Sequence, residues 1–308
     1  MFAIRLYARG DPGGMVYEIA PAPQPGEGEV LVRVHAAGVT PTELSWVPTW
    51  TTRTGEARPL PVIPGHEFSG EIVALGVGVM DVTVGDPVYG LNDWYRDGAQ
   101  AEYCLARVGN FATKPASVDH VHAAATPISA LTAWQGLIER GRLVAGQRVL
   151  IHGAAGGVGS FAAQLARWRG ARVTGTASRS NLDFVRGLGA DEVIDYRAAR
   201  FEDVVRDIDV VFDTVGGETL ERSWAVLKPG GTLVTIAASS ERTADERTRA
   251  AFFIVEPSRS QLEEIAWLID SGAIRPIVGS VFPLAEARQA YLQKPARGKV
   301  VLQVVATG

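Results

Sequence analysis

Hydrophobic positions follow two different periods along the chain, and the change falls near His120. Before it, short β-branched runs alternate with glycine and proline: GEVLVRVHAAGV (28–39), GHEFSGEIVALGVGV (65–79), VTVGDPVYGL (82–91) and AQAEYCLAR (99–107). Val30, Val32 and Val34 recur every second residue, the spacing that places side chains on one face of a strand, and the Gly-Glu-Gly, Gly-Val-Gly and Gly-Asp-Pro steps form turns. This part predicts antiparallel β-structure with few helices. From His120, HVHAAATPISALTAWQGLIERG carries apolar residues at helical spacing, and strands and helices then alternate to about residue 272. Strands are predicted at Arg148–Gly153, Arg172–Ala177, Glu192–Tyr196, Val210–Thr214 and Thr232–Ala237, with helices starting near Val158, Asn181, Phe201 and Thr219. Such alternation implies right-handed crossovers and a parallel sheet. The closing stretch, 275–304, returns to short strands around one helix and is expected to rejoin the first domain. The chain therefore divides into a discontinuous β domain, 1–119 with 275–308, and an inserted α/β domain, 120–274.

The junction RVLIHGAAGGVGSFAAQLARWRG (148–170) gives the inserted domain its chemistry. Gly153, Gly156 and Gly159 stand three apart, after a strand and before a helix. One glycine of such a loop makes the turn out of the strand, the next lets backbone approach a pyrophosphate, and the third lets helix and strand pack closely. The helix start adds unpaired N–H groups and a partial positive charge. Ala155, Gly157 and Val158 complete this expected dinucleotide cradle. At the end of the second predicted strand, where NAD sites place an acid for the ribose 2′-OH, the sequence reads Ser178-Arg179. A hydroxyl and a guanidinium bind a 2′-phosphate that a carboxylate would repel, which favours NADP. Asp183 lies a turn into the next helix, where the helix dipole accounts for it. Tyr196 either caps the same pocket or packs.

Composition narrows the rest. Thirty Lys and Arg against 34 Asp and Glu give a net charge of -4, with no basic footprint for nucleic acid or an anionic membrane. No apolar stretch is long enough to span a bilayer, and Arg5 and Arg9 interrupt any signal-peptide core, so a non-membrane protein is expected. The single cysteine, Cys104, excludes an intrachain disulfide and suits a reducing cytoplasm. The apolar run AAFFIVEPS (250–258), after the charged turn or helix ERTADERTRA (241–250), is expected to form an edge strand near Phe252 to Val255 that would pair with a second copy.

The motifs PGHEFSGEIVALGVGV, GDPVYG, LTAW, VLIHGAAGGVGSFAAQLA, LGADEVIDY, DTVGG and GKVVL occur in an order that resembles the medium-chain dehydrogenase/reductase superfamily, in particular its zinc-free quinone oxidoreductase branch, which includes zeta-crystallin. The resemblance covers nearly the whole chain. It implies an α/β fold: a GroES-like, mainly antiparallel β catalytic domain plus a doubly wound parallel-sheet Rossmann domain. Zinc-dependent relatives use a Cys in the loop after the second of these strands, the His of the GHE turn, and a further Cys or Asp near the start of the helix before the nucleotide domain. Here Thr40 stands at the first place and Thr126 and Pro127 at the last, so His66 is alone and a metal-free enzyme is expected.

Without a Lewis acid, the resemblance implies hydride transfer from NADPH to a quinone or an α,β-unsaturated carbonyl, whose oxygen then needs a hydrogen-bond donor and a proton. The Tyr and Asn that relatives often supply have no match. Thr40 is the candidate donor by position; it could equally be a loop-stabilising hydroxyl, with water or the ribose 2′-OH serving instead. Trp46, Trp50, Trp94 and Tyr95 either wall a pocket for a flat acceptor or cover the β domain. The resemblance further implies that Thr126 contacts the carboxamide, that Thr214, Val215 and Ala237 line the cofactor cleft, that Phe253 and Lys299 lie near its edges, and that the chain forms a homodimer. An enoyl-thioester reductase and a non-catalytic NADPH-binding protein are the alternative readings.

Overall fold

A computed structural model describes residues 1–241 and 243–305. Seven strands precede the inserted domain: β1 (Phe2–Leu6), β2 (Met15–Ile19), β3 (Glu29–Val39), β4 (Glu67–Leu75), β5 (Pro87–Leu91), β6 (Tyr103–Arg107) and β7 (Phe111–Thr113). β8 (Arg148–His152), β9 (Arg172–Ala177), β10 (Glu192–Asp195), β11 (Ile208–Asp213) and β12 (Leu227–Thr235) belong to the inserted domain, and β13 (Val278–Pro283) and β14 (Lys299–Gln303) follow it. The first sheet runs β13-β14-β3-β4-β5-β7, with β6 also on β3. β14 joins β3 antiparallel through Val300 opposite Val39, so segments from before and after the inserted domain share one sheet. Val30, Val32 and Val34 of β3 all face the core, as the period of two requires.

The second sheet is fully parallel, in the order β10-β9-β8-β11-β12. Val149, Leu150 and Ile151 of β8 are each fully buried, since helices cover both faces of such a sheet. Strands are added on one side of β8 up to β10 and then on its other side from β11, so β8 and β11 flank the switch point where the loops at their carboxyl ends diverge. The principal helices are α1 (Pro127–Trp134), α2 (Gly157–Trp168) and α3 (Arg259–Asp270). The short helix His120–Ala124, which the sequence texture assigns to the inserted domain, packs Ala124 and Ala125 against Ala36 and Val301 of the first sheet instead. Small side chains permit that close approach, and composition alone does not tell which sheet receives them.

Polar ties fasten the domains together. Tyr89 Oη donates to Leu262 O at 2.6 Å, Trp94 Nε1 to Val255 O at 3.0 Å, and Gly298 N to Ala155 O at 3.0 Å. Residues 252–255 do not form the expected edge strand. Phe252 makes one parallel bridge to Thr235 of β12, and the side chains of Phe253 and Val255 turn inward and are buried. No helix among the described residues is long and apolar enough to cross a membrane.

Tyr89 is buried against α3, so removing its hydroxyl leaves the Leu262 carbonyl without that partner. Tyr89→Phe is expected to cost about 1–3 kcal/mol. Denaturant titration checks this: the midpoint should fall at unchanged slope.

Candidate active site

The loop from β8 to α2 is shaped by contacts that only glycine permits. Gly153 turns out of the strand at φ +70°, and a Cβ there would lie 2.5 Å from Thr214 Oγ1. A Cβ on Gly159 would lie 2.2 Å from Gly153 O, so strand and helix touch backbone to backbone. Gly156 caps α2 without a side-chain hydrogen bond, and no acid stands in the first turn. The N–H groups of that turn therefore meet an open cleft of about 1010 Å³. These features fit a dinucleotide pyrophosphate.

The cleft brings together Gly153, Ala155, Gly156, Ser178, Tyr196, Thr214 and Val215 from the sequence expectation. Tyr196 and Val215 are 55% and 56% exposed, so each offers a surface to a ligand rather than to the core. Arg179 is exposed beside Ser178, and its guanidinium makes no hydrogen bond or ion pair with the described residues. Arg197, Arg200 and Lys294 also line this end, and sequence reasoning missed all three. Lys294 arrives from the first domain, which no local pattern signals. Asp213 holds the wall of the cleft. Its carboxylate accepts from Val215 N, Gly216 N and Thr235 Oγ1 while burial pushes its pKa up. Ala237 packs where a Cβ on Gly216 would lie 2.6 Å from its own.

His152 lies beneath the cleft. Ser223 Oγ donates to Thr219 O and so accepts from His152 Nε2 at 2.9 Å, which leaves Nδ1 to accept from Thr176 Oγ1 at 3.2 Å. Burial, and secondarily Arg222, lowers its pKa to about 3, so the ring is neutral and structural.

A second, apolar pocket of about 180 Å³ lies between the domains. Thr40 and Trp46 line it from the loop after β3, Ile128 and Thr132 from α1, Val158 from α2, and Phe253 from the segment after β12. Val158, in the first turn of α2, thus lies between the glycine loop and this pocket, which it lines. Three of the four expected aromatic walls lie elsewhere. Trp50 is a core residue packed with Ile4 and Leu6, its Nε1 donating to Leu44 O at 2.8 Å. Trp94 is buried and braces Trp46 edge-on at 5.2 Å. Tyr95 lines a separate cavity of about 560 Å³ in the first domain. Thr126 is fully buried with its hydroxyl donated to His122 O at 2.9 Å, so it does not reach a carboxamide. Each side chain follows its local turn inward, and loop sequence does not encode that direction.

At the pocket floor, Lys299 Nζ donates to Thr40 Oγ1 at 2.7 Å and pairs with Glu67. Glu67 Oε2 accepts Ile128 N at 3.0 Å, in the first turn of α1. Burial pushes the Glu67 carboxyl up, and the Lys299 ammonium opposes that shift. Sequence reasoning singled out His66 and not Glu67; an acid inside an apolar strand was the available signal. Next to it, His66 is buried between Glu43 Oε1 at 2.8 Å and Arg96 O at 3.1 Å. A carbonyl only accepts, so Nε2 carries a proton, while Nδ1 and Glu43 share another. Neither ring nitrogen has a free lone pair for a metal in this arrangement, and no group of three or more His, Cys, Asp or Glu among the described residues is gathered as a metal site.

Two family models match the chain: an alcohol dehydrogenase GroES-like domain over residues 26–166 and a zinc-binding dehydrogenase over 188–302. A quinone oxidoreductase from Coxiella burnetii has the same fold, with a TM-score of 0.90 and 29% identity, covering 99% of each chain. The chain belongs to the medium-chain dehydrogenase/reductase superfamily, in its zeta-crystallin-like branch. The mitochondrial NAD(P)H oxidoreductase RTN4IP1 of Danio rerio is 33% identical over 90% of this chain and 84% of its own. An NADPH-dependent alkenal/one oxidoreductase of Arabidopsis thaliana chloroplasts is 34% identical over 91% of this chain and 73% of its own. A nicotinamide-dependent oxidoreductase follows from these relationships, with GroES-like and Rossmann domains; the organelle labels belong to those relatives.

Gly159→Ala is expected to cost about 1–3 kcal/mol by forcing helix from strand, and to weaken nucleotide binding. Gly187→Ala, with open space around its Cβ, should do neither; thermal denaturation and nucleotide titration compare the two. Buried imidazoles set a pH window. His120 is lowered to about 4 and His152 to about 3, chiefly by burial, from the ordinary 6.5. The unfolded chain therefore takes up protons first as pH falls below 6.5, and stability is lost from there down to about 4 for His120 and about 3 for His152. The thermal midpoint should fall across that range, and His120→Gln should reduce the slope.

Proposed function

We propose that the protein is an NADPH-dependent, metal-free reductase acting on a quinone or an α,β-unsaturated carbonyl. The observation that carries this reading is the small apolar pocket beside the dinucleotide cleft, in which the Thr40 hydroxyl is backed by the Lys299 ammonium while that of Thr132 is donated to the Ile128 carbonyl. A flat conjugated acceptor suits such walls, and Thr40 is the donor for the oxygen on which charge develops. Reduced nicotinamide supplies hydride when bound. Gly153, Gly156 and the first turn of α2 hold the pyrophosphate, Ser178 and Arg179 hold the ribose 2′-phosphate, and Arg197, Arg200 and Lys294 add positive charge to the same end.

Metal independence is supported by residue chemistry: Thr40 stands where zinc-dependent relatives have a ligand, and both His66 nitrogens are engaged. The proposal includes a homodimer. It also keeps the cytoplasm as the compartment, in line with a lone Cys104 that burial holds at about 12 and leaves inert.

Mixing the protein and NADPH with a quinone, a simple enone and an acyl thioester in turn, while following loss of reduced nicotinamide absorbance, tests the function. Turnover with quinone or enone is expected and should survive chelators. Preference for the thioester would make it an enoyl-thioester reductase; binding without turnover would make it a sensor. Arg179→Glu should weaken NADPH binding by about 10- to 100-fold, the size of one charge-assisted phosphate contact, and NADH binding little. Equal losses would argue against the 2′-phosphate role.

A further inference from the structure

The buried ion pair below the pocket is constructed with unusual closeness. A Cβ on Gly38 would lie 2.3 Å from Glu67 Oε1, so only glycine at that point of β3 admits the carboxylate. The stem of Lys299 runs under the glycine loop, where a Cβ on Gly157 would lie 3.1 Å from its Cδ. Both residues are almost wholly buried. Buried pairs of this kind rarely improve on apolar residues of the same volume, because desolvation of two charges consumes the attraction. The pair does, however, bring an ammonium against the Thr40 hydroxyl of the pocket.

Thr40 Oγ accepts from Lys299, so its own proton must go elsewhere. Within the protein its partner is Glu67 Oε1 at 3.5 Å, the outer limit of a hydrogen bond. An oxygen entering the pocket offers a better one. We infer that Lys299 is the proton reservoir of the reaction, acting through Thr40, with Glu67 as the positioning residue that holds it there. This inference rests on the reductase reading above.

With hydride bonded to the conjugated carbon, the acceptor's π electrons move to its oxygen. That oxygen takes the Thr40 hydroxyl proton as the Thr40 O–H bond breaks, and Thr40 takes a proton from Lys299 Nζ. The acceptor gains one hydride and one proton, Lys299 is left as a neutral amine, and water restores its proton once product leaves. Glu67 changes neither charge nor protonation. Its carboxylate orients the ammonium toward Thr40, and the Ile128 N–H fixes its other oxygen.

Removing Lys299 alone would strand the Glu67 charge and could unfold the protein, so the test uses the matched pair Glu67→Gln with Lys299→Met, together with Thr40→Val and Thr40→Ser. NADPH affinity is read by fluorescence titration and hydride transfer by single-turnover absorbance at saturating NADPH. Thr40→Val and the double variant should each slow the single turnover by about 100-fold or more, the usual loss of an aligned acid or oxyanion donor. Thr40→Ser should retain most of the rate, and NADPH affinity should hold throughout. In Glu67→Gln with Lys299→Ala, added ethylamine should restore part of the rate, and guanidine should not, since guanidinium does not release its proton. A double variant that turns over at the wild-type rate, or whose defect lies wholly in NADPH affinity, overturns the inference. Wild-type protein that binds NADPH and reduces no acceptor instead removes the reductase reading, and this inference with it.

Discussion

Strand and helix meet at Gly159 and Gly153 more closely than any Cβ allows, and the rest of the site depends on that contact. It aims the first turn of α2 at the switch point beside β8, so the orphan N–H groups open into the cleft rather than onto protein. Because the helix is pressed onto the sheet, Val158 reaches past the loop into the apolar pocket. One backbone approach thus orients the glycine loop and the apolar pocket together.

The two domains are set against each other by a few directional contacts instead of a broad seal. Tyr89 and Trp94 close one edge, and the Gly298 N–H to Ala155 carbonyl bond closes the other. Between them lies the buried Glu67–Lys299 pair, which joins β4 to β14 and reaches α1 through the Ile128 amide. The residues that stabilise the interface are therefore neighbours of the residues that would handle protons. Repacking for stability at this seam would act on the chemistry as well.

Pattern was a good guide wherever a residue's role depended on its own segment. The period of two in β3, the apolar run of β8 and the glycine spacing each describe local geometry, and the strands fall within a few residues of expectation. Asp213 and Glu67 were harder to read because an acid in a strand signals only that some partner exists. Trp50, Trp94 and Thr126 misled for a related reason: residue type shows what a side chain can bind, while its direction depends on the packing of the turn that carries it.

The sequence by itself determined most strands and helices and the glycine spacing of the loop after β8, since alternation and periodicity are properties of short stretches, and the order of its motifs carried the resemblance to the family. Only the tertiary structure decided which aromatic residue faces the apolar pocket, that Lys294 returns from the far end of the chain to the cleft, and that Thr40 sits on the Lys299 ammonium. Those are contacts between segments distant along the chain, made by close packing of whole domains, and no local pattern of residues encodes them.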